Sequence, residues 1–442
     1  MHLTANYEIV TPLVMGGANQ QPEFRLVSYV HVLRWWWRFL ALGRFGNLEK
    51  ALLWDAHLFG WHDKEFGRKR VSFRLLELNE ERFPSPWTDE LELRTWSGIN
   101  YLTAQGFSDR KSVQATTFSV EARVSNRALG ADKSKDWTVA KETLRDAMAL
   151  IGLLGGLGAR SRRGFGSLAI SKLVADDENY LNGLPDSVEA YRRQISTHLG
   201  TDRYQSLPRY SAYSEHFGCE ICASHNNMRE LMNDIGWAFQ IYRSYGQRDQ
   251  NKIGSHVHIK KSISTNGRQM SHQISAGQGK KTWYKQEFRD DHDLFYVDPL
   301  NEKNFDNRSI FGLPHNYGKV IDTGWDFDDE SKYARRASPL LFHFHRLKGG
   351  EAVFVASIVE AQFLPVETKL HEEQSSKKEA ELHVKSKKKG ASGDQRAPVS
   401  RAGRGLLNGF IEFLRDEDPT KSGANNGVPY TSFNRENVRV AP

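Results

Sequence analysis

Hydrophobic and polar positions change period several times within the first 175 residues, and each change marks an element. Leu3 to Leu13 ("LTANYEIVTPL") alternates with period two, which predicts a strand ended by Pro12 and the Gly16-Gly17 pair. The next stretch, "VSYVHVLRWWWRFLALG", carries Val32, Trp35, Trp36, Phe39 and Leu40 at helical spacing, with Ser28 as N-cap and Gly43 as stop. Period two returns at Val71 to Leu78 and at Thr116 to Val124. A second helix follows, with its apolar stripe through Val139, Leu144, Ala147, Leu150, Ile151 and Leu154, and Phe165 to Val174 reads as a strand. The order β-α-β-β-α-β is the ferredoxin-like split arrangement also used by RNA-recognition domains, with about Leu91 to Ala115 as an insertion or extra helix.

The second half repeats that order without repeating the sequence. "RYSAYSEHFGCEICAS" is strand-like, and "NNMRELMNDIGWAFQIYRSYG" is a helix capped by Asn226 or Asn227. "SPLLFHFHRL" and "EAVFVASIVEAQFLP" form a hairpin turning at Gly349 and Gly350. "RAGRGLLNGFIEFLRDE" is a helix and "ENVRVAP" a last strand. The expected fold class is therefore α+β, two ferredoxin-like domains in tandem with insertions, over 1–195 and 205–442. A polar insertion at about 247–332 is too long for a simple loop. A charged, aromatic-poor stretch at about 366–404 reads as a mobile basic linker.

Composition narrows the function classes. In 442 residues, 39% of them hydrophobic, no apolar run approaches the ~20 residues of a membrane-spanning helix, so no membrane partner is expected. The N-terminus has no basic segment followed by an apolar one, which points to the cytoplasm. The formal net charge is +7, and Lys385 to Arg404 alone holds +6 of it. Such a balance favours polyanions without proving a nucleic-acid partner. Cys219 and Cys222 are the only cysteines, so disulfides are not expected to matter.

One segment stands out chemically. "GGLGARSRRGFGSL", Gly155 to Leu168, puts five glycines and three arginines between the second helix and the fourth strand. Gly158, Gly164 and Gly166 free the backbone to expose amides to a phosphate, while Arg160, Arg162 and Arg163 supply fork-shaped, charge-assisted donors. The same residues also suit a helix C-cap followed by a turn with solvated arginines. The loop follows a helix and lacks the third glycine of the dinucleotide fingerprint, and no G-x-x-x-x-G-K-[ST] occurs. On the first helix His31, Arg34 and Arg38 recur at i, i+3 and i+7 with Trp37 beside them. That is a cationic strip with an aromatic, suited to RNA backbone and base stacking, or else a solvated helix face.

Metal and nuclease chemistry are weaker readings. His216, Cys219, Cys222 and His225 lie three residues apart, yet strand alternation sends Cys219 and Cys222 to opposite faces. No cofactor and no metal are expected. His31, His256, His258, His343 and His345 could each serve as the general base of a metal-independent ribonuclease, though nothing in the sequence pairs any of them with a second catalytic group. "DFDDE" (Asp326 to Glu330) reads as a solvated turn.

"YEIVTPLVMGGA", "LRWWWRFLALG", "LFG" at Leu58 to Gly60 and "GGLGARSRRGFGS", in that order, resemble the hallmark segments of the RAMP superfamily. Within it they are most similar to first subunits of the Cmr complex, the type III-B CRISPR effector. "FGLP" (Phe311 to Pro314) and "RRASPL" (Arg335 to Leu340) are similar to the same family. The resemblance implies two ferredoxin-like domains and a non-catalytic subunit in antiviral defence. Its partners would be the guide (CRISPR) RNA, held near its 3′ end, target RNA, which it helps capture, and other Cmr-complex subunits. The alternatives are a guide-precursor endoribonuclease of the same superfamily and an assembly scaffold whose glycine loop touches no RNA.

Overall fold

The computed structural model describes residues 1–16, 23–61, 69–79, 97–103, 116–125, 134–245, 336–361 and 434–441, with short strand and helical pieces between 262 and 414. Contacts group it into two compact units: Met1–Trp237 with Leu341–Val359 and Phe433–Pro442, and Ala238–Leu340 with Glu360–Ser432. Within the first unit lie two antiparallel sheets and most of the helices, a mixed α+β architecture.

The first sheet contains β1 (His2–Ile9), β2 (Val71–Asn79), β3 (Thr117–Val124), β4 (Leu168–Ala175) and β5 (Glu178–Asn182), in the order β2-β3-β1-β4-β5. Its central strand alternates as the sequence does, with Leu3, Ala5, Tyr7 and Ile9 buried. The second sheet is β7-β8-β6-β9, built from β6 (Phe217–His225), β7 (Leu340–Arg346), β8 (Ala352–Val359) and β9 (Asn434–Ala441). Every residue of β8 is buried, so the strand is an unbroken apolar run rather than an alternating one. The β7–β8 hairpin turns at Gly350, with Leu347 N–H donating to Glu351 O at 2.8 Å.

Helix α1 (Leu26–Phe45) forms because Leu33, Trp36, Trp37 and Leu40 make a continuous apolar stripe. It starts two residues before the expected Ser28 cap, with Arg25 at the N-cap and no side-chain cap bond. It also runs past Gly43. The helix ends at Gly46, whose φ of +64° lets its N–H return to Leu42 O at 2.9 Å. Gly43 serves packing instead, since a Cβ there would overlap the carbonyl of Asp202. Asn47 then caps α2 (Leu48–Phe59), its Oδ1 accepting from Lys50 N at 3.0 Å.

α3 (Ser97–Thr103), α4 (Ser134–Leu153), α5 (Val188–Leu199) and α6 (Met228–Tyr245) complete the helices. Asn227 caps α6, with Oδ1 accepting from Arg229 N at 2.9 Å and from Glu230 N at 3.3 Å. Both α2 and α4 pack on α1, so α1 is covered on more than its sheet face.

A buried ionic knot ties three helices together. Asp146 of α4 meets Arg44 of α1 at 2.8 Å, its neighbour Arg145 at 2.9 Å and His198 Nδ1 of α5 at 3.0 Å. Burial alone would push the Asp146 carboxyl up, but hydrogen bonds from His198 and Arg145 and the charges of both arginines outweigh it. The carboxyl is held below the usual range.

In the second unit, Ser262–Thr265 pairs with Arg268–Ser271, Gln273–Ala276 with Lys280–Trp283, and Asp322–Asp326 with Lys369–Glu373. The polar insertion therefore contains strands. Most of 366–404, together with His256 and His258, lies outside the described residues. Among the described residues no helix is long and apolar enough to cross a membrane.

Candidate nucleic-acid interface

The glycine-arginine loop joins α4 to β4, and its backbone is already engaged. Leu157 N–H donates to Gly166 O at 2.9 Å, Ala159 N–H to Val14 O at 2.8 Å and Gly166 N–H to Pro12 O at 2.9 Å. Arg163 N–H donates to Arg160 O at 2.7 Å, and Gly164 N–H to Ser161 O at 3.2 Å. These amides hold the loop against the end of β1 and against itself. The expected phosphate cradle of loop amides is therefore corrected at Gly164 and Gly166, whose N–H groups have protein acceptors.

What the glycines supply is close approach. At Gly158, φ +76°, a Cβ would lie 2.5 Å from Val14 O; at Gly164, φ +82°, it would overlap the ring of Phe344 on β7.

The loop is also stitched to the second sheet. Phe342 N–H donates to Arg162 O at 3.0 Å, and Arg163 forms a parallel bridge with Phe342. Ser167 Oγ accepts from Phe344 N–H at 3.2 Å, and His343 Nδ1 meets Gly155 O at 2.9 Å. Arg160 is exposed, and Arg162 and Arg163 are partly so. Arg160 sits at φ +61°, a conformation costing a non-glycine residue about 1–2 kcal/mol.

The loop and α1 enclose a groove of about 170 Å³, lined by His31, Val32, Trp35, Ser161, Arg162 and Phe342 among others. His31 is exposed at its edge. The Arg162 guanidinium carbon lies 5.6 Å from the centroid of the Trp35 ring, a cation–π pair with both members partly exposed. An arginine over an aromatic can hold a phosphate and a stacked base together.

Three expected members of the site are elsewhere. Trp37 is 0% exposed, with Nε1 donating to Ala140 O at 3.1 Å, so α4 covers the helix face that the wheel assigned to solvent. Arg34 and Arg38 face α2. Arg34 Nε and Nη2 donate to Asp55 at 2.8 and 2.6 Å, and Arg38 Nη2 donates to Asp55 Oδ2 at 2.6 Å. The aromatic partner of the cationic site is Trp35, one turn beyond His31, which the sequence reading placed with the apolar stripe.

Two of the nuclease candidates, His343 and His345, are packed in the interior. His343 and His345 are 2% and 0% exposed, and His345 stacks on Tyr191 at 4.2 Å between centroids. Gly155 O fixes the His343 proton on Nδ1, so His343 Nε2 accepts from His345 Nδ1 at 3.4 Å. Burial lowers the His343 pKa to about 3 and pushes His345 well down.

Both rings are thus neutral when folded, while an unfolded histidine protonates near pH 6.5. For His343 the stabilisation is complete above about pH 6.5 and is lost as pH falls toward 3, by about 1.4 kcal/mol per pH unit, and His345 adds a loss of the same sign. The urea midpoint should drop between pH 7 and pH 5, and drop less in His345→Phe. Equal drops in both proteins would refute the assignment.

Cys219 Sγ meets Ser357 Oγ and Cys222 Sγ meets Glu220 O, each at 3.4 Å, so the two thiols have separate partners. Burial pushes the Cys219 thiol up to about 12. Among the described residues no three metal-ligating side chains converge.

The profile of the RAMP superfamily matches residues 6–169, which span β1 to the first residues of β4 and include the whole loop. The CRISPR system Cmr subunit Cmr1-2 of Pyrococcus furiosus is 32% identical over 181 residues, covering 38% of this chain and 93% of that one. A crystal structure of Cmr1 from Pyrococcus furiosus in its apo form aligns over 92% of this chain and 96% of its own, at 15% identity and a TM-score of 0.44. A cryo-EM structure of the type III-B Cmr-beta bound to cognate target RNA aligns over 93% and 99%, at 12% identity and 0.44. Both structural likenesses fall below the level at which two folds are read as the same. With 93% of that Pyrococcus furiosus Cmr subunit aligned at 32% identity, the chain belongs to the RAMP superfamily and, within it, to the Cmr subunits of CRISPR systems.

Proposed function

We propose that this chain is a non-catalytic RNA-binding subunit of its effector, holding single-stranded RNA along the groove between α1 and the glycine-arginine loop. Arg160, Arg162 and Arg163 take phosphates, and Trp35 with His31 takes a base. The observation that carries the reading is the pairing of Arg162, on a loop hydrogen-bonded to the strand of Phe342, with Trp35 of α1. Contacts to phosphate position a strand without reading it, so binding is sequence-tolerant and salt-dependent. Such a platform suits the 3′ region of the guide and assists capture of target RNA.

The same reading takes each sheet as a ferredoxin-like unit, with 1–195 and 205–442 as the two domains. In support, each sheet places its last core strand beside its first, followed by the third and second.

The test is titration of a fluorescent single-stranded RNA with Trp35→Ala. Loss of a stacking platform lowers affinity by about 5- to 100-fold with the salt slope unchanged, because stacking contributes about 1–3 kcal/mol per base and releases no counterions. Wild-type affinity in this variant would refute the groove.

A further inference from the structure

On the other side of α1 lies a second concavity, of about 960 Å³, between the C-terminal half of α1 and α2. Its walls are Phe45, Leu52 and Trp61, and Arg38 and Asp55 form a charged patch within it. Leu52 and Trp61 are 45% and 48% exposed, two of the few large apolar side chains so placed among the described residues.

The charged patch is not balanced internally. Asp55, 1% exposed, is shared by two guanidiniums, Arg34 and Arg38. One positive charge is left over, and Arg38 Nε has no hydrogen-bond acceptor. Among the other described charges around the pocket, Lys50 is matched by Asp136 at 3.0 Å, and Glu49 makes no ion pair with Arg34 or Arg38.

We infer that this pocket is a protein-docking site for a neighbouring subunit of the effector, taking a segment that presents a large apolar side chain next to an aspartate or glutamate. The apolar anchor lies between Leu52, Phe45 and Trp61, and the carboxylate accepts from Arg38. A mostly apolar wall with both signs of charge at its rim suits a peptide better than a polyanion. Tryptophan and arginine, both present in this lining, are also among the residues that dominate protein interfaces. The inference rests on membership of a multi-subunit effector and is independent of the RNA reading.

The test titrates the full chain against each separately purified subunit of its own effector. One of those subunits is expected to bind, and Leu52→Asp and Trp61→Ala should each weaken it at least tenfold, with RNA affinity and salt slope unchanged. Arg38→Gln should weaken the same partner. If Arg38→Gln fails to fold, the Leu52→Asp result decides, because Leu52 is on the surface. Unchanged binding to every subunit in both Leu52→Asp and Trp61→Ala overturns the inference. So does a loss of RNA affinity in these variants, which would give the pocket to RNA, or the loss of a self-dimer, which would give it to a second copy of this chain. Failure of the RNA reading would instead show in the loop arginines.

Discussion

Replacing Arg160, Arg162 and Arg163 together by alanine is expected to lower affinity for single-stranded RNA about 100-fold at 0.1 M salt. The slope of log K against log salt should shrink by about 2. Both numbers follow from counterion release, at about 0.7 per phosphate contact on a single strand for three contacts. The loop backbone is held by its own hydrogen bonds and by glycine packing, and a thermal melt of the triple variant is the control for its fold.

Arg160→Gly sharpens the test. It removes one phosphate contact while relieving the +61° backbone, so it should bind RNA more weakly yet melt at a higher temperature. A triple variant with unchanged affinity and slope would remove the loop from the interface, whatever the groove does.

Asp146→Ala should lower stability strongly, by about 3–5 kcal/mol. The carboxylate is buried among Arg44, Arg145 and His198, whose side chains are 9%, 21% and 4% exposed. Removing it strands two guanidiniums in the interior with no counter-charge. Because the carboxyl is held low in the folded protein, its contribution is present above the unfolded value near pH 4 and disappears as pH falls below it. A chemical-denaturation midpoint measured at pH 7 gives the comparison. A loss under 1 kcal/mol would mean that water, not the interior, surrounds these charges.

Much of this architecture was legible from period alone. The strands at Val71 and Thr117, the helix at Ser134 and the hairpin turning at Gly350 follow the sequence pattern because each buries one face or lies fully inside. Helix α2 was missed although Asn47 announces it as a cap, since a twelve-residue helix beside a longer one adds little to the periodic signal.

The site was legible in part. Charge and spacing picked out Arg162 and His31, which both line the proposed groove. Trp35 was missed and Trp37 wrongly chosen because a helical wheel assumes one buried face. Helix α1 has a sheet beneath it and α2 and α4 against it, so the solvent-facing arc is narrow. Arg34 and Arg38 were misplaced for the same reason, since Asp55 belongs to the helix that period did not reveal. The glycines were read as exposing amides, whereas they make room for Val14 and Phe344. Glycine composition looks identical in the two cases, and only a neighbour distant in sequence tells them apart.

The hydrogen bond from Phe342 to Arg162 and the ring of Phe344 over Gly164 have a bearing on how this protein can be dissected. Residues 6–169 are the portion the superfamily shares, and they invite excision as a minimal binding fragment. Such a fragment would keep every arginine yet lose the strand that moulds the loop around them. The proposed interface is in this sense composite: its arginines come before residue 170, and part of what moulds the loop, Phe342 and Phe344, comes after residue 340.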